Sequence, residues 1–144
     1  MSAGDVETLV AEGVLARVPP DRAEAQRELD AAVQHFRGAE AAAEVEPTGA
    51  FSLTDDAARK ARVAHIRSSG VRIIARFGVH YQTTRYARTV LAGRGIDEHL
   101  EAFAAMREVR NDTECEAAIL AHSDAREALG HARAIVVTVQ DALA

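Results

Sequence analysis

The residues best placed to do chemistry stand together in the run Arg107-Glu-Val-Arg-Asn-Asp-Thr-Glu-Cys115. Ile96, Leu100, Phe103 and Met106 recur before it at helical spacing. At about 100° per residue, Arg110 falls near the centre of that same apolar stripe. A guanidinium on a buried face is costly unless it is paired or sits at a cleft or subunit boundary. Two readings stay open. In one, Arg110 and Asn111, with Glu114 beside them, form a polar cluster in an interhelical groove that meets a phosphate or a partner. In the other, the Arg110 stem is buried and its head reaches water at the helix end. There it pairs with Glu114 at i,i+4 and complements the negative end of the helix dipole.

A second group is defined by charge. Residues 1–50 hold four Arg against ten Asp/Glu, a net of −6, and residues 95–144 hold the same, four against ten. The middle block, 51–94, holds nine basic residues against Asp55 and Asp56, a net of +7 within a chain of formal charge −5. A one-sided basic segment, nearly all Arg, can serve as a phosphate or nucleic-acid surface through its forked donors. It can equally be a basic helix packed beside acidic ones. Within the block Arg72, Arg76 and His80 are close in sequence and are the candidates for a phosphate contact; a surface or capping role is the alternative for His80.

These residues need helices to position them. An amphipathic helix is expected over 5–15, ended by Pro19-Pro20. A second, capped by Asp21, runs to about Val45 with Ala25, Leu29, Ala32/Val33, Phe36, Ala39/Glu40 and Ala43 as its stripe. Pro47 and Gly49 are read as a turn. A third helix covers about 51–68, stopped by Ser69-Gly70. Its inner face is Ala57, Ala61, Ala64 and His65, the last a core histidine with a satisfied partner. Asp55/Arg59 and Asp56/Lys60 are i,i+4 pairs expected on a solvated face. Residues 71–78 are extended or short-helical. Further helices are expected over 79–91 with Thr84, Ala87 and Leu91 inward, over 96–118, and over 123–143 with a Ser123 cap. The last has Ala125, Leu129, Ala132, Val136, Val139 and Leu143 as its stripe.

The fold expected is therefore all-α: an up-and-down bundle of about five helices with a short N-terminal helix, one domain over 1–144. Composition agrees, with 48% hydrophobic residues but only 4% aromatic and no Trp. Ala-rich faces suit closely packed helices better than sheets. No apolar run is long enough to span a bilayer, and the acidic N-terminus lacks the basic flank of a secretory signal. The single Cys115 admits no intrachain disulfide, which points to a reducing, cytoplasmic setting. His35, His99, His122, His131 and Cys115 show no metal spacing in sequence, and neither a metal nor an organic cofactor is expected. Gly93-Arg-Gly95 lacks the strand–turn–helix context of a phosphate loop, and there is no nucleophile elbow or kinase signature.

Taken together, four segments resemble the HEPN superfamily, the small helical domains associated with prokaryotic nucleotidyltransferases and toxin–antitoxin pairs. They are Leu15-Ala-Arg-Val-Pro-Pro20, Asp55-Asp-Ala-Ala-Arg-Lys60, Gly78-Val-His80 and the Arg-Asn segment at 107–115. The resemblance implies a helical bundle that dimerises across a shared groove holding the two Arg motifs. It implies metal-independent RNA cleavage in active members, where Arg stabilises the pentacovalent phosphate and a following His moves the proton. Arg110 and Asn111 match that pattern. The positions where the His would fall hold Cys115, Glu116 and Ala117, and Cys115 also stands where an Arg-Asn-x-x-Glu-Tyr branch has Tyr. The expectation is an RNA-binding or ribonuclease-type domain of weak or lost activity, with Glu114 or His80 as the substitutes for the missing base. The alternative is a non-catalytic helical homodimer that binds a nucleotidyltransferase, an antitoxin or another protein.

Overall fold

The computed structural model describes residues 3–74, 78–102, 104–105, 108 and 120–144. The fold is all-α, with one short sheet added. Its elements are α1 (Ala3–Ala11), β1 (Leu15–Arg17), α2 (Arg22–Ala42), α3 (Pro47–Ser68), β2 (Val71–Ile73), α4 (Val79–Val90), α5 (helical over 97–102) and α6 (His122–Leu143). Among the described residues no helix is long and apolar enough to cross a membrane.

Helix α3 is the spine. It packs along α2 and α6, and it also meets α4 and β2. Its inner side is paved with Ala57, Ala58, Ala61 and Ala64, none of them exposed. A side chain of one carbon lets neighbouring helix axes approach closely, so the bundle gains dense packing where it lacks large apolar groups. Leu29 and Ala32 of α2, Leu91, Ile96 and Leu100, and Ala132, Ile135 and Val139 of α6 close over that surface as one core. Of the expected stripes, Ala25, Leu29, Ala32, Ala39 and Ala43 of the first and Ala125, Ala132, Val136 and Val139 of the second are buried, with Ala128 and Ile135 added; Val33, Phe36, Leu129 and Leu143 are only partly covered, and Glu40 is exposed.

Capping fixes the helix ends. The Asp21 carboxylate accepts from Glu24 N at 2.9 Å, as its position before α2 predicts. At the far end of α3, Ser69 N donates to the carbonyls of His65 and Ile66. Gly70 then turns the chain at φ +72°, where an added Cβ would meet Pro20 Cγ at 3.1 Å and the Val18 carbonyl at 3.2 Å. Only glycine suits that corner.

The N-terminal expectation needs correction. α1 stops at Ala11, and Leu15–Arg17 is a strand, paired antiparallel with Val71–Ile73 in the register Leu15↔Ile73, Ala16↔Arg72, Arg17↔Val71. Three residues carry too little alternation to announce a strand. The partners come from distant sequence, and Tyr86, Val90, Ile66, Leu9 and Val6 cover the sheet as a second, smaller core.

Two other boundaries move. α3 begins at Pro47 rather than 51, because proline is at home in a first helical turn and the Glu46 carboxylate caps Gly49 N. α6 begins at His122, with the Asp124 carboxylate accepting from Ala121 N at 3.3 Å, so Ser123 lies inside the helix and is not its cap. The solvated face expected for Asp55 is also wrong: Asp55 is buried, and the acid–base contacts of this turn include Arg59 with Asp56 and Lys60 with Glu28. On α4, Thr83, Tyr86, Ala87 and Val90 are buried and Thr84 only partly so. Ile96 and Leu100 are buried as expected, while Phe103 and Met106 lie outside the described residues.

Candidate functional site: a sealed polar seam and an open arginine pair

The long inner face of α3 carries polar groups that a core of this kind does not require. Thr54, Asp55, Arg62 and His65 are all buried, and so is Thr83 of α4 opposite them. Thr54 is accounted for locally, donating to the Ala50 carbonyl at 2.8 Å. Arg62 donates through Nε to the Ala58 carbonyl at 3.2 Å and through Nη1 to Thr84 Oγ1 at 3.1 Å, so its guanidinium ties α3 to α4. A turn further on, His65 Nδ1 lies 3.0 Å from the Tyr86 hydroxyl, Tyr86 donates to Ser69 Oγ at 2.9 Å, and Ser69 donates to the His65 carbonyl at 2.8 Å.

The donors fix the direction of this ring. Tyr86 has one hydroxyl proton and Ser69 has one, and both are spent in the contacts just given. His65 must therefore donate its Nδ1–H to Tyr86. Burial, with the Arg94 charge adding to it, holds the His65 pKa down to about 4. Burial likewise raises Tyr86 to about 12, against a smaller opposing effect of the Ser69 hydrogen bond. Neither group changes charge near neutrality. The seam positions α4; it does not move protons.

The arginines divide sharply. Arg59 pairs with Asp56, Lys60 with Glu28, Arg85 with Glu12 and Arg88 with Glu101. Three of these four acids come from the flanking acidic blocks and one from the middle block itself. Arg67 and Arg72 have no ion-pair partner among the described residues, and both line one cavity of about 480 Å³. Val63, Ile66, Val71 and Ile73 give that cavity an apolar wall. α3 supplies Arg67 from its last turn and β2 supplies Arg72, so the sheet missed in the sequence is what brings both to one cavity.

Of the residues singled out in the sequence, Arg72 therefore lines a cavity together with Arg67 and Asp21, and His65 is the satisfied core histidine expected. Arg110, Asn111, Glu114, Cys115 and Arg76 lie outside the described residues, as does the His80 side chain, although the backbone of His80 opens α4 after Gly78. Sequence reasoning assigned no such role to Arg67, Ser69 or Tyr86, and did not foresee the contact of His99 with His131, whose Nδ1 atoms lie 2.8 Å apart. Tyr86 carried a signal, lying one position before Ala87 on an amphipathic helix. The histidine contact joins residues too distant in sequence for any spacing rule. Among the described residues no group of three or more His, Cys, Asp or Glu could hold a metal ion.

No family model matches the chain, and no curated protein or solved structure matches it.

Proposed function

We propose that this chain is a HEPN-type helical domain that binds RNA through its phosphates, with nuclease activity weak or lost, and that it works as a cytoplasmic homodimer of the toxin–antitoxin or defence kind. The observation that carries this is the pair Arg67 and Arg72. In an acidic chain where most neighbouring cations are neutralised, these two have no ion-pair partner among the described residues, at a cavity that Asp21 also lines. Planar, forked donors left open in this way suit phosphate oxygens. The one buried histidine near them is neutral and already donating, so it offers no general base. That supports binding over cleavage, as does the absence of His at 115–117. Arg110 and Asn111 are the residues that would meet the scissile phosphate if cleavage survives.

A second reading is favoured by a different observation. Arg59, Lys60, Arg85 and Arg88 are consumed in internal ion pairs, which suits a non-catalytic dimer that binds a nucleotidyltransferase or antitoxin protein. RNA binding separates the two. Incubation with total RNA and tRNA in EDTA, beside Arg110→Ala, tests cleavage; salt-dependent binding of a single-stranded RNA tests recognition. Each phosphate contact contributes about −0.7 to the slope of log affinity against log salt. Arg67→Ala and Arg72→Ala are each expected to flatten that slope by roughly one contact. RNA binding that is absent, or indifferent to both arginines, while light scattering reports a folded dimer, leaves the protein-partner reading.

A further inference from the structure

His99 on α5 and His131 on α6 meet head to head. Their ring centres are 5.1 Å apart, which is the 2.8 Å gap between the Nδ1 atoms plus one ring radius on each side, and the planes are inclined at 57°. The two lone-pair axes therefore point along one line. That is the geometry of an N–H···N hydrogen bond. A tetrahedral metal held at about 2.0–2.1 Å by both nitrogens would bend the approach and spread them to roughly 3.3 Å.

One proton must lie between the two nitrogens, since two bare nitrogens repel and two N–H groups leave no acceptor. The outer nitrogens face carboxylates: His99 Nε2 lies 3.6 Å from Glu98 Oε1 and His131 Nε2 lies 3.7 Å from Glu127 Oε1. Once both outer nitrogens carry protons and one proton is shared, every nitrogen of the pair is occupied. Adding one more proton puts N–H against N–H and breaks the contact. The rings are about a fifth exposed, so water can deliver that proton.

The surroundings give the contact a consequence. His131 also lines a cavity of about 380 Å³, whose walls include Ala102, Ala105, Phe51 of α3 and Leu120. Among the described residues, the carboxylates that flank the pair or line the cavity are Glu98 on α5 and Asp124 and Glu127 on α6; on α3, Phe51 lines the cavity and the buried Asp55 lies one turn further along. We propose that His99 and His131 form a proton-operated latch between α5 and α6, closed while their Nδ1 atoms share one proton and open once each ring carries its own. Opening frees α5 along one wall of the cavity and widens access to it in acid. The latch is independent of the RNA reading.

Imidazole ¹⁵N spectra of the full chain at about pH 7.5, where histidine is commonly neutral or half charged, are expected to show one shared proton across the Nδ1 pair. Between about pH 7.5 and pH 5, hydrogen-exchange protection of amides 98–102, referenced to those of α2, is expected to fall on the order of tenfold. That is the loss of one charge-assisted hydrogen bond. In His99→Asn and His131→Asn, which keep a neutral side chain able to bond the remaining ring, the differential fall is expected to vanish. Protection at 98–102 that follows α2 in the wild type, or that falls equally in both variants, overturns the latch. So does a Ni²⁺ titration that saturates at one ion per chain and removes the shared proton, because the pair would then be a metal site.

Discussion

His65 and the His99–His131 pair each join helices distant in sequence, but the first contact is sealed and the second is not. His65 sits 4% exposed in a ring of three hydrogen bonds whose direction is fully determined. His99 and His131 lie at the bundle's edge, with carboxylates that are themselves largely in water. The same side chain is thus a fixed donor in one place and a holder of an exchangeable proton in the other. Burial makes the difference: it penalises the charged form of His65, whereas the rings of the pair are about a fifth exposed and face a carboxylate on each flank.

The contrast has its largest expected effect in acid. The folded-state pKa of His65 is about 4, below the ordinary 6.5, so the unfolded chain takes up a proton first as pH falls. The contribution of a neutral His65 is complete above about pH 6.5 and is lost progressively down to about pH 4, amounting to about 3 kcal/mol at most. Urea unfolding at a series of pH values is expected to show this loss in the wild type and a clearly shallower one in His65→Gln. Equal acid sensitivity in the two would mean that His65 is not sealed, and the comparison would collapse.

Tyr86→Phe follows in size. It removes the acceptor of the His65 Nδ1–H and the donor to Ser69 without changing the packed ring. A buried donor left unsatisfied costs about 1–3 kcal/mol, and the urea midpoint at neutral pH is expected to fall accordingly. A loss within a few tenths would show that water reaches the seam.

The two contacts also differ in how far the sequence announces them. His65 was legible because Ala57, Ala61 and Ala64 mark one face of a helix, and a histidine continuing that face must be buried and partnered. Asp21 and Ser69-Gly70 were legible because caps are local chemistry. The strands were not, since Leu15–Arg17 and Val71–Ile73 become strands only by finding each other. Asp55 was misplaced because an i,i+4 acid–base spacing looks the same on either face of a helix. Arg72 could be chosen from the charge pattern, yet its companion Arg67 could not, because β2 folds back beside the end of α3 only in three dimensions. The His99–His131 contact had no local signature of any kind.

The smallest effect sharpens the comparison most. Glu98 and Glu127 are 82% and 76% exposed, and they face the imidazoles at distances beyond direct hydrogen bonding. Charges so placed are screened by water and salt, and exposed pairs of this kind contribute about 0–1 kcal/mol. Glu98→Gln and Glu127→Gln are therefore expected to leave the urea midpoint at neutral pH within about 0.5 kcal/mol of the wild type. Their effect belongs in the proton balance instead. Without one negative flank, the open form, in which each ring carries its own proton, loses part of its attraction. Imidazole ¹⁵N titrations of the two variants are expected to move both His99 and His131 together, since the rings share a proton, and to leave His65 where it was. Movement of one ring alone would mean that the two histidines titrate as separate surface groups, with no coupling across the Nδ1 contact.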